Sequence, residues 1–194
     1  MKKIILSIFL SISLIVNAQV DCYILGGTSH AINLYDLTQP GFNFGAVINL
    51  PFSKTWSFQT GLNYNFVSTD SDWPTSELVV DKMVSFDSGV IYNYSFIELP
   101  ASIAIGIKLS ERSKLKFNLG GYFSVFTGGK SLYRSPEGFS KYVLLATWTD
   151  PVGGGFLVGT GFEINKIYVG MEVNYSPESY NPNTVIKTKF GIKL

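Results

Sequence analysis

The sequence predicts an all-β protein, an eight-stranded antiparallel up-and-down transmembrane β-barrel. Apolar and polar residues alternate with a period of two along eight segments, which places successive side chains on opposite faces of a strand. The connections between these segments alternate between short turns and longer loops. The chain is 46% hydrophobic and only 15% charged, yet no helix-length apolar run follows its first 18 residues. Hydrophobicity without a transmembrane helix, combined with a charged second face, favours a membrane barrel.

The start of the chain has the features of a secretion signal. Two lysines precede an apolar run at residues 4–16, and Ala18 provides the small residue expected at a cleavage site. This run is shorter than the roughly 20 residues that a transmembrane helix needs. We therefore expect residues 1–18 to be a signal peptide and residues 19–194 to form one outer-membrane β-barrel domain, in an exported protein of a Gram-negative cell envelope.

The first three predicted strands are residues 23–34, 41–50 and 56–66. The first is the least regular, because Gly26 and Gly27 indicate a bend or bulge within it. The other two alternate, with mostly aromatic and aliphatic residues on one face and mostly Asn, Gln, Ser and Gly on the opposite face. Aromatic residues at strand ends are typical of the girdles that form at membrane interfaces.

The fourth and fifth predicted strands, residues 97–109 and 115–127, have the longest alternating patterns. Aliphatic and aromatic residues occupy one face, and the other face contains Glu98, Lys108 and Lys116. Pro100 is an exception to this regular pattern, because proline has no N–H to donate to a β-ladder and a closed barrel has no free edge. We therefore expect a local bulge or a strand start at Pro100.

The last three predicted strands are residues 156–164, 167–175 and 186–194. One face of these strands is apolar except for two threonines, and the other contains glycines and charged residues. Tight turns are predicted between the eight strands at 51–55, 110–114 and 165–166, and longer loops at 35–40, 67–96, 128–155 and 176–183. In outer-membrane barrels the short turns face the periplasm and the long loops face outward. Apolar stretches in the two longest loops are compatible with hairpins that extend above the membrane.

The charged face predicts a polar network inside the barrel, because small barrels are filled by their own side chains. The placement of hairpin partners puts Glu172 opposite Lys187, and Glu163 near Lys116. Buried charges need partners, so a structural filling is favoured over an ion path or catalytic carboxylates. The predicted members are Glu98, Lys108, Lys116, Glu163, Glu172, Lys187, Lys189 and Lys193.

The residues that carry chemistry in other proteins are sparse in this sequence. Cys22 is the only cysteine and His30 the only histidine, so we expect neither a disulfide nor a metal site. Ser29 adjoins His30, but neighbours on a strand point to opposite faces. A lipid-modifying hydrolase would need a serine from another strand, such as Ser102 or Ser124. We expect no catalytic or cofactor-binding site. The formal net charge of +1 indicates no nucleic-acid partner.

Four segments resemble the PorT-like outer-membrane β-barrel family of Bacteroidetes, whose unit is the outer membrane protein beta-barrel domain. They are GFNFG at 41–45, WSFQTGLNY at 56–64, FIELP at 96–100 and KFNLGGY at 116–122. The resemblance implies insertion by the barrel-assembly machinery, and the founding member of the family assists a secretion system. The chain departs from the usual assembly signal of outer-membrane barrels, because it ends with Leu194 rather than an aromatic residue.

The function that the sequence favours is that of an integral, non-enzymatic outer-membrane barrel. Its exposed loops would serve adhesion, complex assembly or envelope structure, with outer-membrane lipid and loop-binding proteins as partners. One alternative is an accessory component of a secretion or transport system. Another is a soluble lipocalin-like barrel that binds an apolar ligand. The orientation of the faces separates this last alternative from the membrane barrel, because a soluble barrel must turn its apolar residues inward.

Overall fold

A computed structural model describes most of the 194-residue chain. The described residues are 20–32, 37–71, 75–79, 82–86, 90–134, 140–144, 152–177 and 184–194. The predicted signal peptide, residues 1–18, lies outside them. Within these ranges no helix has the length and apolar character needed to cross a membrane.

The described residues form eleven strands, and eight of these close into a barrel. The strands are β1 (Asp21–Ile32), β2 (Leu37–Pro51), β3 (Trp56–Ser71), β4 (Thr75–Val79), β5 (Lys82–Phe86), β6 (Val90–Lys108), β7 (Ser113–Arg134), β8 (Ser140–Leu144), β9 (Val152–Ile164), β10 (Ile167–Tyr175) and β11 (Thr184–Lys193). The barrel order is β6-β3-β2-β1-β11-β10-β9-β7, and β7 pairs back with β6. All pairings are antiparallel. The predicted fold class is confirmed.

One end of the barrel carries the tight turns, the start of β1 and the end of β11. The turns at 52–55, 109–112 and 165–166 connect neighbouring strands there. The amide of Leu194 donates a hydrogen bond of 2.9 Å to the carbonyl oxygen of Cys22, and the amide of Lys193 donates one of 2.7 Å to that of Lys166. We call this the turn end, and the opposite end the loop end.

Strands continue into two segments that the sequence predicts as loops, 67–96 and 128–155. β3 and β6 remain paired as far as Ser71 and Val90, and β7 runs to Arg134. Further along, β4 and β5 pair only with each other, and β8 pairs with the end of β7. These extensions agree with the apolar stretches noted in both segments.

The predicted irregularities at Pro100 and at Gly26-Gly27 do not shift the strand register. Thr60 pairs with Ala101 and Asn63 with Glu98, so the register of β3 against β6 is the same on both sides of Pro100. The predicted bulge or strand start at Pro100 is therefore wrong. Proline only removes a hydrogen-bond donor, and the ladder is interrupted there without an inserted residue. Register shifts lie instead between Gln39 and Phe42 and between Ser95 and Phe96.

The two faces of the barrel have opposite chemistry. Large apolar side chains point outward and are exposed on every barrel strand, with Leu119 and Phe156 each 65% exposed. Asparagine, serine, glutamate and lysine side chains point inward and are buried. The alternative of a soluble lipocalin-like barrel with an apolar interior is therefore wrong, because the apolar face is on the outside.

Candidate functional site in the barrel lumen

The lumen is built in layers, which follow the inward residues of β11 and β1. From the turn end, β11 contributes Lys193, then Lys189 and Lys187, and finally Val185 near the loop end. A strand rises about 3.3 Å per residue and alternates its faces. Each inward residue therefore contributes to a separate layer about 7 Å from the next.

A buried ion-pair cluster occupies the middle layers. Lys187 has no exposed surface and is ion-paired with Glu98, which also accepts a hydrogen bond of 3.2 Å from Asn174 Nδ2. Lys189 Nζ lies 2.5 Å from Glu172 Oε2, and Lys187 Nζ lies 3.9 Å from Glu172 Oε1. Glu172 does lie opposite Lys187 across the β10–β11 hairpin, as predicted, although its shortest contact is to Lys189.

A second cluster lies closer to the turn end. Lys116 Nζ is 2.6 Å from Glu163 Oε2 and donates a hydrogen bond of 2.6 Å to Tyr23 Oη. The hydroxyl of Tyr23 in turn donates a hydrogen bond of 2.8 Å to Glu163 Oε2. The predicted proximity of Glu163 and Lys116 is confirmed. At the mouth, Lys193 Nζ pairs with Asp21 Oδ1 at 2.7 Å, a partner that the sequence did not identify.

Lys108 is the one predicted network member that lies apart from these clusters. It is the last residue of β6, is exposed at the turn end, and forms no ion pair with any residue that the structure describes. The structure therefore corrects its placement: Lys108 lies on the inward face but beyond the enclosed lumen. The other seven predicted residues lie in the two buried clusters or in the ion pair at the mouth.

An apolar layer lies at the loop end of the lumen and is not part of the network that the sequence predicts. Its buried members are Ala31, Val67, Tyr94, Phe96 and Val185, with Phe126 packed against them. Val67, Tyr94 and Phe96 belong to a segment that the sequence predicts as a loop. The available signal was the period of two, since Phe96 continues the inward register of Glu98.

Side chains leave only a small space between the middle layers of the lumen. A cavity of about 30 Å³ lies between Leu25, Val47, Pro100 and Tyr168. This is space for only a few water molecules. Side chains therefore fill the middle of the lumen in the described part of the barrel, and a wider opening lies at the turn end.

The hydroxyl and imidazole groups considered above lie on different faces. Ser29, Ser102 and Ser124 are buried on the inward face. His30 follows Ser29 on β1 and therefore points to the outer face. Ser29 instead accepts a hydrogen bond of 3.1 Å from Asn43 Nδ2. Among the described residues, no group of three or more His, Cys, Asp and Glu side chains is arranged to hold a metal ion.

A comparison with known protein families identifies the family of this closed barrel, whose interior is mostly polar. The family model described as "Outer membrane protein beta-barrel domain" matches residues 26–177, which is more than half of the chain. The chain belongs to this family. Membership assigns the apolar outer face to lipid and supports location in the outer membrane.

Solved outer-membrane barrels have a similar fold. OprG from Pseudomonas aeruginosa has 11% sequence identity and a TM-score of 0.50, covering 90% of this chain and 95% of its own. Ail from Yersinia pestis, solved in complex with the heparin analogue sucrose octasulfate, has 14% identity and a TM-score of 0.46, covering 91% of this chain and 99% of its own. At these identities the OprG likeness supports the fold alone. A search of curated proteins gave no match.

Proposed function

We propose that the protein is an integral outer-membrane barrel that acts without catalysis, through the parts of the chain that extend from its loop end. Adhesion, complex assembly and envelope structure are the roles that such surfaces serve. The proposal includes export directed by residues 1–18, insertion by the barrel-assembly machinery, and membership of the PorT-like group of Bacteroidetes. The four segments quoted above support this last assignment.

The single observation that carries the proposal is the filled lumen. Two buried charge clusters and an apolar layer occupy the interior, and the cavity beside the charge clusters is about 30 Å³. Contacts with other molecules are then expected at the two ends of the barrel. At the loop end, the β4–β5 hairpin pairs only with itself and so extends beyond the barrel wall.

The outer surface supports the membrane placement. Phe42, Phe44, Tyr64 and Phe66 form an aromatic cluster toward the loop end of β2 and β3, with ring centroids 5.3 Å apart for Phe42 and Phe66 and 5.1 Å apart for Phe44 and Tyr64. Aromatic side chains concentrate where a barrel crosses the membrane–water interface. The cluster therefore marks where the apolar outer surface meets the membrane–water interface on the side of the loop end.

Membrane placement and a closed lumen are tested together. The protein should fractionate with the outer membrane and should migrate differently on a gel before and after boiling. Reconstituted in planar bilayers, it should give no stable conductance, because side chains obstruct the path. A large, steady single-channel current would contradict the filled-lumen proposal, and a freely soluble periplasmic protein without a mobility shift would contradict the membrane placement.

The role of the loop end is tested by removing its separate hairpin. Ser71 and Val90 pair directly, so a short Gly-Ser turn in place of 72–89 joins β3 to β6 without disturbing the barrel ladder. We expect this variant to retain heat-modifiable mobility but to lose cell adhesion or crosslinking to envelope proteins. The same Gly-Ser sequence inserted between Asn165 and Lys166 at the opposite end is the matched control. Unchanged adhesion and crosslinking in the hairpin variant would contradict a role for this hairpin.

A further inference from the structure

The turn end of the barrel opens into a vestibule with an unusual charge. This cavity has a volume of about 570 Å³, which lies in the range of small-molecule binding sites. It is formed by the ends of β1, β2, β3, β6, β7 and β11 together with the turns at 52–55 and 109–112. Five lysines and two carboxylates line it, although the whole chain has a formal net charge of only +1.

Two of these lysines are already neutralised. Lys193 pairs with Asp21 at 2.7 Å, and Lys116 pairs with Glu163 at 2.6 Å. The remaining three, Lys54, Lys108 and Lys114, form no ion pair with a residue in the described part of the chain. Glu111 is the only other carboxylate in the vestibule lining, so an excess of about two positive charges remains there.

The direct pairing of two lysines, Lys108 and Lys114, distinguishes the vestibule from the charge clusters deeper in the lumen. The two residues lie directly opposite each other in the β6–β7 ladder, on the same inward face. Like charges in directly opposed positions destabilise a sheet. In contrast, Lys116, Lys187, Lys189 and Lys193 each have a carboxylate within 4.0 Å.

We propose that the vestibule is a binding site for a phosphate-bearing anion. Lys108 and Lys114 supply ammonium groups from directly opposed strand positions, and Lys54 supplies a third from the turn between β2 and β3. A phosphate monoester carries about −1.5 to −2 charges at neutral pH, which matches the local excess. Lysine binds phosphate as a mobile point charge, so the three flexible side chains adapt to one anion. The phosphate belongs either to a soluble compound or to a lipid headgroup at the periplasmic surface.

The test is a titration followed by amide chemical shifts on the full barrel. Inorganic pyrophosphate is added to the protein in a zwitterionic detergent, with sodium chloride of equal ionic strength as the reference. A parallel sample is placed in phosphatidylcholine nanodiscs with or without phosphatidic acid. The variant Lys108→Gln/Lys114→Gln removes two vestibule charges. The matched control Arg112→Gln/Lys166→Gln removes two exposed charges at the same end that do not line the vestibule.

We expect saturable shifts at the ends of β6 and β7, with an affinity about tenfold or more lower in the vestibule variant, because two charge-assisted contacts are lost. The control should bind as the unaltered protein does. Shifts with pyrophosphate identify a soluble phosphate compound, and shifts with phosphatidic acid alone identify a headgroup; the latter arm rests on the proposed membrane placement. Lys54→Gln, which lies outside the strands, provides a second variant should the first fail to fold. Shifts in neither arm, or an equal loss in the control, would overturn the site.

Discussion

Lys187 shows how much the fold depends on complete compensation of buried charge. Its ammonium has no exposed surface and lies between Glu98 and Glu172. The Lys187→Met variant keeps the aliphatic volume but leaves Glu98 without its ammonium partner. Removal of one partner of a buried pair costs about 3–5 kcal/mol, so the free energy of unfolding should fall by this amount in urea titrations of the barrel in lipid vesicles.

A double-mutant cycle separates the contribution of the ion pair to the free energy of unfolding from that of side-chain packing. Adding Glu98→Gln to Lys187→Met removes the unpaired carboxylate, and the second change should restore part of the lost stability. Lys166→Met serves as the control, since Lys166 is exposed in a turn. The buried pair would have no special contribution if Lys166→Met and Lys187→Met destabilised the protein equally. Strictly additive effects of the substitutions at positions 98 and 187 would lead to the same conclusion.

Inward glycines differ in whether the neighbouring strand leaves room for a side chain. A Cβ atom added to Gly61 would overlap the carbonyl oxygen of Ala46 in β2, whereas at Gly106 the nearest atom is the Thr55 carbonyl oxygen at 3.8 Å. Gly61→Ala should therefore lower the free energy of unfolding by about 1–3 kcal/mol, the usual cost of overpacking. Gly106→Ala is the matched control and should change it little. The reverse order in urea titrations would contradict this explanation.

At the scale of strands, Pro100 marks the one interior interruption between β3 and β6. The pairs on either side keep the same register, and proline lacks only its N–H. Pro100→Ala should supply the missing donor to Gly61, so the new amide at position 100 should exchange with solvent as slowly as that of Ser102. Rapid exchange at position 100 in a folded variant would show that the strands separate there for another reason.

The strands that cross the lipid were predictable because the membrane imposes the pattern. Hydrocarbon on one side and a polar lumen on the other require alternation, so the segments at 56–66 and 167–175 fall within the observed β3 and β10. Beyond the lipid both faces contact water or protein. The alternation then weakens, so the sequence predicts loops for the outer parts of β6 and β7, which the structure shows as paired strands.

The ion pairs were only partly predictable because barrel closure brings distant strands together. Hairpin register predicts that Glu172 faces Lys187, and it does. The closest partner of Lys187 is instead Glu98, 89 residues away on β6, and Tyr23 reaches Glu163 across 140 residues. Such contacts depend on the width of the lumen and on side-chain length. Neither quantity can be derived from the pattern of a single hairpin.

The molecule as a whole reverses the distribution of a soluble protein. Lysine and glutamate are buried inside, and leucine, isoleucine, valine and phenylalanine are exposed outside. An apolar surface of this kind around the full circumference is stable only in contact with hydrocarbon. Inside, the same rule requires each charge to find a partner, which explains why charge clusters fill the lumen without forming an open path.

This reversal predicts how the outer face responds to charge at different depths. Leu62 lies near the middle of the 56–66 segment and is 54% exposed, whereas Ile192 is 60% exposed beside the last residue of β11. Leu62→Arg should lower the free energy of unfolding in lipid vesicles by about 2–4 kcal/mol, and Ile192→Arg by about 0–1 kcal/mol, because the cost of charge falls from the bilayer centre to the interface.

Side-chain exposure alone gives a different expectation for the same pair of variants. Both positions are exposed to similar extents, so an arginine on a water-soluble barrel would change its stability little at either site. Urea titrations in vesicles of one lipid composition compare the two variants directly. Equal, small effects at Leu62 and Ile192 would mean that the apolar belt does not span a bilayer, whereas a graded loss would locate the hydrocarbon core around the middle of β3.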